Sequence, residues 1–221
     1  MANILVTGCG RGVGLALTRA LLARGDVVYG SVRSGEAPVQ HANFHLLTFD
    51  VRDEAAIKAA AATVDTPIDV LINNSGIIGP RTSNALEMDF PGFADVLDVN
   101  VLGPLRVVHA FLPHLRRAKG AKVMTVSSQM GGMTYQGSDR IAYRTSKAAV
   151  NKVMQGVATD LASEGIAVVL THPGWVRTDM GGGSAAISPE ESAAGLIKVI
   201  DDLDVKKTGR FMNWDGSERV W

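Results

Sequence analysis

The first 25 residues constrain the fold more than any other part of the chain. Asn3–Thr7 is apolar and short enough for a buried strand, and glycines follow at positions 8, 10, 12 and 14. An apolar periodic run from Leu15 to Leu22 then ends at Arg24-Gly25, which is a typical helix stop. Glycines let a backbone approach phosphate groups, and a helix N-terminus offers unpaired N–H groups. The segment therefore predicts a strand, a glycine turn and a helix that together bind a dinucleotide pyrophosphate.

The rest of the chain alternates between strand-like and helix-like segments. Helical patterns cover Glu54 to Thr63 and Phe93 to Arg117, and another begins near Ala142. Further strands are predicted at Val27–Val32, Phe44–Thr48, Val70–Ile72, Lys122–Val126, Ala167–Leu170 and Arg210–Met212. This alternation predicts an α/β Rossmann fold, a doubly wound parallel sheet of about seven strands with helices on both faces. With 221 residues and 46% hydrophobic content, residues 1–221 are expected to form a single domain.

Charge and cysteine content narrow the function classes. Lys+Arg and Asp+Glu balance at 22 each, so no basic excess indicates nucleic acid or an anionic membrane as a partner. The single cysteine, Cys9, excludes an internal disulfide and is typical of a reducing compartment. The start shows no signal peptide, and no apolar stretch is expected to span a bilayer, so a cytoplasmic location is predicted. The five histidines show no metal-binding spacing, and no metal site is predicted.

Tyr143 and Lys147 form the most suggestive pair of polar residues. At a spacing of four they lie on one face of a helix, which brings the ammonium group beside the phenol. A neighbouring cation lowers the pKa of a tyrosine and suits it to exchange a proton near neutral pH. Interconversion of a carbonyl and an alcohol requires such a group. An ordinary amphipathic helix can also carry this pair, so the pattern needs support from elsewhere in the chain.

Six ordered motifs supply that support. They are Thr7-Gly8-x-x-x-Gly12-x-Gly14, Asp50-Val51, Asn73-Asn74-Ser75-Gly76, Val99-Asn100, Val126-Ser127-Ser128 and Pro173-Gly-Trp-Val-Arg-Thr178, together with Tyr143-x-x-x-Lys147. In this combination the chain resembles the short-chain dehydrogenase/reductase family over nearly its whole length. Ser75 replaces the alanine usual in the family. Tyr143-Arg-x-Ser-Lys147 and Asn100-x-x-Gly-Pro104 are most similar to the C-factor and sniffer-type carbonyl reductases.

The resemblance implies a catalytic tetrad of Asn100, Ser128, Tyr143 and Lys147. Ser127 competes with Ser128 for the role of hydrogen-bonding the substrate oxygen, and the second serine of the pair is the catalytic one in the family. The implied proton donor is Tyr143, while Lys147 holds the nicotinamide ribose. Pro104 has no N–H for the carbonyl of Asn100, so a helix interruption is expected there, and the resemblance implies that this carbonyl holds a relay water.

Cofactor preference follows from charge at the end of the second strand. An NAD enzyme usually carries an acid there, but this chain has Val32 followed by Arg33, and Arg11 precedes Gly12. Two guanidinium groups attract a 2′-phosphate, so NADP(H) is expected, although Glu36 could supply the acid. The full set of predicted cofactor-binding residues is Gly8, Arg11, Gly12, Val13, Gly14, Arg33, Asp50, Val51, Asn74, Ser75, Gly76, Tyr143, Lys147, Pro173, Gly174, Val176 and Thr178.

The expected function is NADPH-dependent reduction of a small apolar aldehyde or ketone. Residues that follow the catalytic and nicotinamide motifs are candidates for an apolar substrate pocket, with core packing as the alternative: Met130, Met133, Tyr135, Trp175 and Met180. Gly181 to Ala186 corresponds to the family's substrate lid. An NADP-dependent alcohol dehydrogenase or ketoacyl reductase, and an NADPH-binding sensor without turnover, are the alternatives. The resemblance also implies a homodimer or a homotetramer.

Overall fold

The computed structural model describes residues 1–80, 84–134 and 136–221. Seven strands form one parallel sheet in the order β3-β2-β1-β4-β5-β6-β7. They are β1 Asn3–Thr7, β2 Val27–Val32, β3 Phe44–Thr48, β4 Val70–Asn73, β5 Lys122–Val126, β6 Ala167–His172 and β7 Arg210–Asn213. The predicted doubly wound Rossmann sheet is confirmed. Only the ends of β4, β6 and β7 extend beyond the predicted bounds.

Helices cover both faces of the sheet. They are α1 Gly12–Ala23, α2 Glu54–Ala62, α3 Phe90–Leu97, α4 Gly103–Arg117, α5 Ile141–Leu161 and α6 Pro189–Asp201. One core joins α2, α4 and α5 to the sheet through residues such as Ile57, Phe111 and Met154. The other core packs α1 and α6 against the opposite face through Leu17 and Leu196. Both cores are apolar because a parallel sheet covered on two sides exposes neither face to water.

The long helix predicted from Phe93 to Arg117 is observed as three segments. α3 begins earlier, at Phe90, because the Asp89 carboxylate accepts a hydrogen bond from Gly92 N and caps the helix. A π-helical segment, Asp98–Leu102, then separates α3 from α4. Within it the N–H of Gly103 donates to Asp98 O, five residues back. Pro104 lacks the N–H that would continue the α-helical ladder, so the predicted interruption takes the form of a π-bulge, a feature common at functional sites.

This helical stretch corrects one expectation. Phe90–Arg117 spans 28 residues, and its most apolar part has a mean hydropathy of 1.2, so by length and composition alone it is able to cross a membrane. The expectation that no stretch reaches this length was wrong by that criterion. Half of that part is buried inside the protein, where Val107, Phe111 and Leu115 are core residues. The core helix of an α/β fold meets the same criterion.

Candidate active site

The glycine turn lies between β1 and α1 at the carboxyl edge of the sheet. Gly8 and Gly12 have φ values of +69° and +54°, which favour glycine. A Cβ at Gly14 would collide with the carbonyl oxygen of Gly8, so the chain folds tightly on itself here. Among the described residues no side chain caps α1, whose N-terminal N–H groups, starting near Val13, are therefore available to a phosphate. The turn fits a dinucleotide pyrophosphate.

The segment after β4 is bound to this turn by hydrogen bonds. The side-chain amide of Asn74 donates to Thr7 O (3.0 Å) and to Gly8 O (3.2 Å). In return, the hydroxyl of Thr7 accepts from the backbone N–H groups of Asn74 and Ser75. A Cβ at Gly76 would lie 3.8 Å from Lys147 Nζ, so this segment extends from the phosphate turn to the predicted catalytic pair.

The predicted adenine-side residues lie at the ends of β2 and β3. Asp50 accepts two hydrogen bonds from the guanidinium of Arg52, which holds the pKa of this carboxyl below its usual range. Val51 is buried and contacts the start of α4, where a Cβ at Gly103 would lie 2.9 Å from it. Arg33 is exposed at the end of β2. Its charge also acts on Asp50 and lowers the same pKa.

Arg11 belongs to the glycine turn and faces the segment after β6. Its guanidinium forms an ion pair of 2.8 Å with Asp179, and both side chains are more than three-quarters exposed. A Cβ at Gly12 would lie 3.2 Å from Thr178 Cγ2, so the two segments are in van der Waals reach. The segment that leads into the lid therefore contacts the phosphate turn at two neighbouring positions, Thr178 and Asp179, and the second contact is charged.

Tyr143 and Lys147 lie in the first turns of α5, and both side chains are buried. Lys147 Nζ donates to Val126 O at 2.8 Å and lies 5.6 Å from the centre of the Tyr143 ring. Burial lowers the pKa of Lys147 to about 8. Burial also raises the pKa of Tyr143, against the opposing effects of a hydrogen bond with Ser128 and of the Arg140 charge. The expected lowering of the tyrosine pKa by Lys147 is not what this structure shows, because desolvation of the phenol dominates.

The two serines after β5 have different environments. The hydroxyl of Ser127 bonds Asn151 Oδ1 and Lys147 O and is buried against α5. Ser128 instead accepts a hydrogen bond from Met130 N at 3.1 Å and is the described hydrogen-bond partner of the Tyr143 phenol. Ser128 is therefore the serine beside the tyrosine, and Ser127 holds the strand end to the helix.

The side chain of Asn100 is held by three described hydrogen bonds. Its side chain exchanges a pair of bonds with the backbone of Ile77, at 2.9 and 2.8 Å. It also donates to the hydroxyl of Ser146 at 3.0 Å, and Ser146 donates to Tyr143 O at 2.7 Å. The side chains of Asn100, Ser146 and Tyr143 are buried. The π-bulge is thereby connected, through Ser146, to the backbone of the predicted proton donor.

The segment after β6 carries the predicted nicotinamide-side residues. Gly174 has a φ of +87°, and the hydroxyl of Ser192 donates to Pro173 O at 2.6 Å. Val176 is buried and forms a bridge with Ile187, which closes the lid loop at its base. Thr178 Oγ1 accepts from Gly181 N at 3.1 Å. The lid is thus an ordered turn whose ends are joined by backbone pairing.

The predicted substrate-pocket residues are divided between two loops. Met133, Trp175 and Met180 are 84%, 53% and 41% exposed, which argues against core packing for them. Trp175 is fixed by a hydrogen bond from its Nε1 to Gly181 O at 2.8 Å. Met130 is half-buried in the 3₁₀ turn after Ser128. Tyr135 lies outside the described residues.

Sequence reasoning missed several residues of this site. The motif patterns assign no role to Thr7 and Ser146, although a small hydroxyl beside a glycine turn or one helical turn from a catalytic residue is a usable signal. Arg140 precedes α5 with a left-handed φ of +53°, a strained conformation for a residue other than glycine, and its charge acts on the Tyr143 phenol. Only the fold brings these residues to the site.

Cys9 has no described role in chemistry. Its side chain is fully buried, and burial raises the pKa of its thiol to about 11. Such a thiol stays protonated and unreactive, which supports packing over redox sensing. No group of three or more His, Cys, Asp or Glu able to hold a metal ion occurs in residues 1–80, 84–134 and 136–221.

A dinucleotide-type glycine turn with a buried tyrosine, lysine and serine at the same sheet edge defines an oxidoreductase of the α/β class. The family model described as short chain dehydrogenase matches residues 2–186. The chain therefore belongs to the short-chain dehydrogenase/reductase family, as its motifs indicated.

Known relatives agree with this assignment. The protein named C-signal of Myxococcus xanthus is 42% identical over 167 residues, covering 75% of this chain and all of that protein. A 1-hydroxy-2-glutathionyl-2-methyl-3-butene dehydrogenase of Rhodococcus sp. (strain AD45) is 33% identical, with full coverage of both chains. Among solved structures, the carbonyl reductase Sniffer of D. melanogaster matches with a TM-score of 0.93 at 32% identity over the whole of both chains. An NADPH-bound carbonyl reductase from chicken fatty liver gives 0.92 at 32% identity, covering 100% of this chain and 99% of that one.

Proposed function

We propose that this chain is an NADP(H)-dependent carbonyl reductase that converts a small, largely apolar aldehyde or ketone to its alcohol. The observation that carries this proposal is the buried group formed by Tyr143, Ser128 and Lys147 beside the phosphate turn. Burial raises the pKa of Tyr143, so the phenol, which is protonated at neutral pH even at its ordinary value, keeps its proton there. A protonated phenol is the form that a reductase needs in order to donate a proton to a carbonyl oxygen.

Each residue of the proposed tetrad has a separate task. Tyr143 donates its proton to the substrate oxygen, and the hydroxyl of Ser128 stabilises the charge that develops there. Lys147, buried and cationic, favours the transient phenolate and holds the nicotinamide ribose. Asn100 orients the tyrosine backbone through Ser146, and its carbonyl supports a proton relay to solvent. When bound, NADPH supplies the hydride that is added to the carbonyl carbon.

The proposed cofactor contacts follow the sheet edge. The glycine turn and the N-terminus of α1 would hold the pyrophosphate, Asp50 and Val51 would hold the adenine, and the Asn74 to Gly76 segment would hold the nicotinamide side. Arg11 and Arg33 bind the 2′-phosphate, which supports NADPH over NADH. The chicken liver neighbour is described as NADPH-bound, in agreement with this preference. Pro173 to Thr178 complete the nicotinamide side.

The proposed substrate lies between the loops after β5 and β6. Met130, Met133, Trp175 and Met180 offer apolar side chains there. We further propose a homodimer formed through α4 and α5. Oxidation of an alcohol with NADP is the second candidate, since the Rhodococcus relative is named a dehydrogenase.

Consumption of NADPH by the purified protein, followed by its absorbance against a panel of aldehydes, ketones and quinones, tests the proposal. We expect turnover with NADPH on some carbonyls and its loss in Tyr143→Phe, which removes the proton but keeps the ring. Cofactor binding by Tyr143→Phe, measured by NADPH fluorescence, is the control for folding. Binding without turnover on every carbonyl in the wild type would favour a sensor, and faster consumption with NADH would contradict the role of Arg11 and Arg33.

A further inference from the structure

The chain enters α5 through a strained residue. Arg140, which directly precedes the helix, has a φ of +53° and a ψ of +42°. Within the described ranges it is the one residue other than glycine with a positive φ. Its carbonyl nevertheless accepts a hydrogen bond that opens the helix, from Arg144 N at 2.9 Å. A long side chain keeps this left-handed conformation only where its surroundings impose it, and such strain concentrates at functional sites.

Arg144 holds the residue before Arg140 in place. Its guanidinium donates from Nε to Asp139 O at 2.8 Å and from Nη2 to Asp139 Oδ1 at 2.6 Å. A Cβ at Gly137 would lie 2.6 Å from the same Nη2, so the incoming loop is packed against the guanidinium. We call this pair of bonds the Arg144–Asp139 clamp. Because Arg140 is the next residue, it cannot relax its backbone without disturbing the clamp.

The clamp also determines how charge is distributed beside the tyrosine. Hydrogen bonds from Arg144 hold the pKa of Asp139 below its usual range, and the charge of Arg140 adds a smaller effect of the same sign. Two guanidinium groups therefore share one carboxylate at the entry to the helix. The side chain of Arg140 is exposed, and its charge also acts on the phenol of Tyr143, three residues further along the chain.

Two cations among the described residues face this phenol. Lys147 Nζ lies 5.6 Å from the centre of the Tyr143 ring, but burial lowers the pKa of this lysine to about 8. The lysine therefore loses its charge as the pH rises into the alkaline range, whereas an arginine guanidinium keeps its charge there. The neighbours from other elements are neutral, namely the Ser128 hydroxyl after β5 and the Asn100 amide of the π-bulge. Arg140 is thus the cation that stays charged beside the phenol throughout an assay range.

We propose that Arg140 supports proton transfer through Tyr143: its charge, held by the Arg144–Asp139 clamp, stabilises the phenolate that forms when the tyrosine protonates the substrate oxygen. In this step the proton bonds to the substrate oxygen, and the electron pair of the broken O–H bond stays on the phenol oxygen. A cation fixed nearby lowers the energy of the negative charge that appears there. This inference rests on the proposed reductase function and adds to it a residue outside the tetrad.

Two substitutions separate the charge of Arg140 from its backbone conformation. Arg140→Asn removes the charge, and asparagine tolerates the left-handed conformation better than arginine does. Arg140→Lys keeps a charge in the same strained backbone. The control, Lys152→Gln, removes an exposed cation about three turns further along α5, where Lys152 bonds Gln155. Single-turnover reduction of one aldehyde, followed by NADPH absorbance in a stopped-flow instrument, reports the chemical step without product release.

We expect Arg140→Asn to slow the single turnover about two- to fivefold at neutral pH and low salt, the effect that an exposed charge exerts on a close partner. The alkaline limb of its pH–rate profile should move to higher pH, because removal of a cation favours the protonated forms of both Tyr143 and Lys147. About 0.5 M NaCl should bring the wild type and Arg140→Asn closer together, since it screens an exposed charge. Arg140→Lys and Lys152→Gln should stay near the wild type in rate and in the position of the limb.

A purely structural role for Arg140 predicts different results. A slower turnover with an unmoved alkaline limb, or a loss that the added salt leaves undiminished, would overturn the proposal. Wild-type behaviour of Arg140→Asn in both respects would overturn it too, as would the same shift in Lys152→Gln, because the effect would then not depend on position. If Arg140→Asn does not fold, Arg140→Gly replaces it, since glycine adopts this φ without strain.

A titration without turnover separates this inference from the proposed function. The ultraviolet absorbance of each protein, minus that of its Tyr143→Phe counterpart, follows the ionisation of Tyr143. Arg140→Asn should raise the pH at which this signal appears, and an unchanged pH would contradict the role of Arg140 whether or not the chain reduces a carbonyl. If the signal shifts while the wild type reduces none of the carbonyls, the proposed function fails and the effect of Arg140 on the phenol stands.

Discussion

Arg11 gives the sharpest test of the proposed cofactor preference. It precedes Gly12 in the phosphate turn, yet in this structure its guanidinium pairs with Asp179, just before the lid, at 2.8 Å. A 2′-phosphate would have to draw Arg11 away from Asp179. Replacement of Arg11 by Gln removes the charge while keeping a polar side chain of similar reach, and replacement of Asp179 by Asn removes the competing carboxylate.

The expected effect of each replacement on kcat/KM follows from the solvent exposure of the Arg11 and Asp179 side chains. Arg11 and Asp179 are 78% and 77% exposed, and such a pair contributes about 0–1 kcal/mol. A charge-assisted hydrogen bond to a phosphate contributes about 1.5–3 kcal/mol. The balance leaves about 0.5–3 kcal/mol in favour of the phosphate, a factor of roughly 2–150. Arg11→Gln should therefore lower kcat/KM for NADPH by that factor, and Asp179→Asn should raise it by up to about fivefold.

The assay compares kcat/KM for NADPH and for NADH on one carbonyl substrate, in the wild type and in both variants. Because both cofactors share the pyrophosphate, only an effect on the NADPH-to-NADH ratio reports the 2′-phosphate. Equal losses with the two cofactors in Arg11→Gln would refute the reasoning, since Arg11 would then act on the pyrophosphate or on the lid. Arg33→Gln, measured alongside, separates the contribution of the second arginine.

Three further predictions concern the packing around Tyr143 and Lys147 and the buried His172. Ser146→Ala breaks the link from Asn100 to the Tyr143 carbonyl, and we expect a loss of about 1–3 kcal/mol in urea unfolding with a lower kcat at similar KM. Gly131→Ala places a Cβ 2.7 Å from the carbonyl carbon of Lys147, so it should lose about 1–3 kcal/mol, whereas Gly156→Ala, with open space in mid-helix, should gain about 0.5–1 kcal/mol. His172 has a folded-state pKa of about 4 against an ordinary 6.5, so only the unfolded state binds its proton between these values. The free energy of unfolding should thus fall by about 3 kcal/mol as pH drops through that window, and this part of the fall should be absent in His172→Gln.

Local sequence patterns predicted most of the fold, because strands, turns and helices depend largely on residues that are close in sequence. β1 and the glycine turn were predicted from about a dozen consecutive residues, and Pro104 alone predicted the interruption now seen as a π-bulge. Local patterns do not predict the hydrogen-bond partners of Asn100. Ile77 and Ser146 lie 23 and 46 residues away in sequence, and both contacts exist only because the sheet brings β4, the π-bulge and α5 to one edge.

The direction of the Tyr143 pKa shift is a property that the sequence does not predict. The spacing of Tyr143 and Lys147 correctly predicts that both residues occupy one helix, and the same spacing also predicts a lowered tyrosine pKa. The sign depends instead on burial, which is a property of the whole fold: the same core that brings the ammonium near the phenol also removes water from both. Each group therefore shifts toward its neutral form, the phenol upward in pKa and the ammonium downward. A raised pKa keeps the proton on the phenol at neutral pH but also makes the phenol a weaker acid, so proton donation relies on the groups that oppose the shift, the Ser128 hydroxyl and the Arg140 charge.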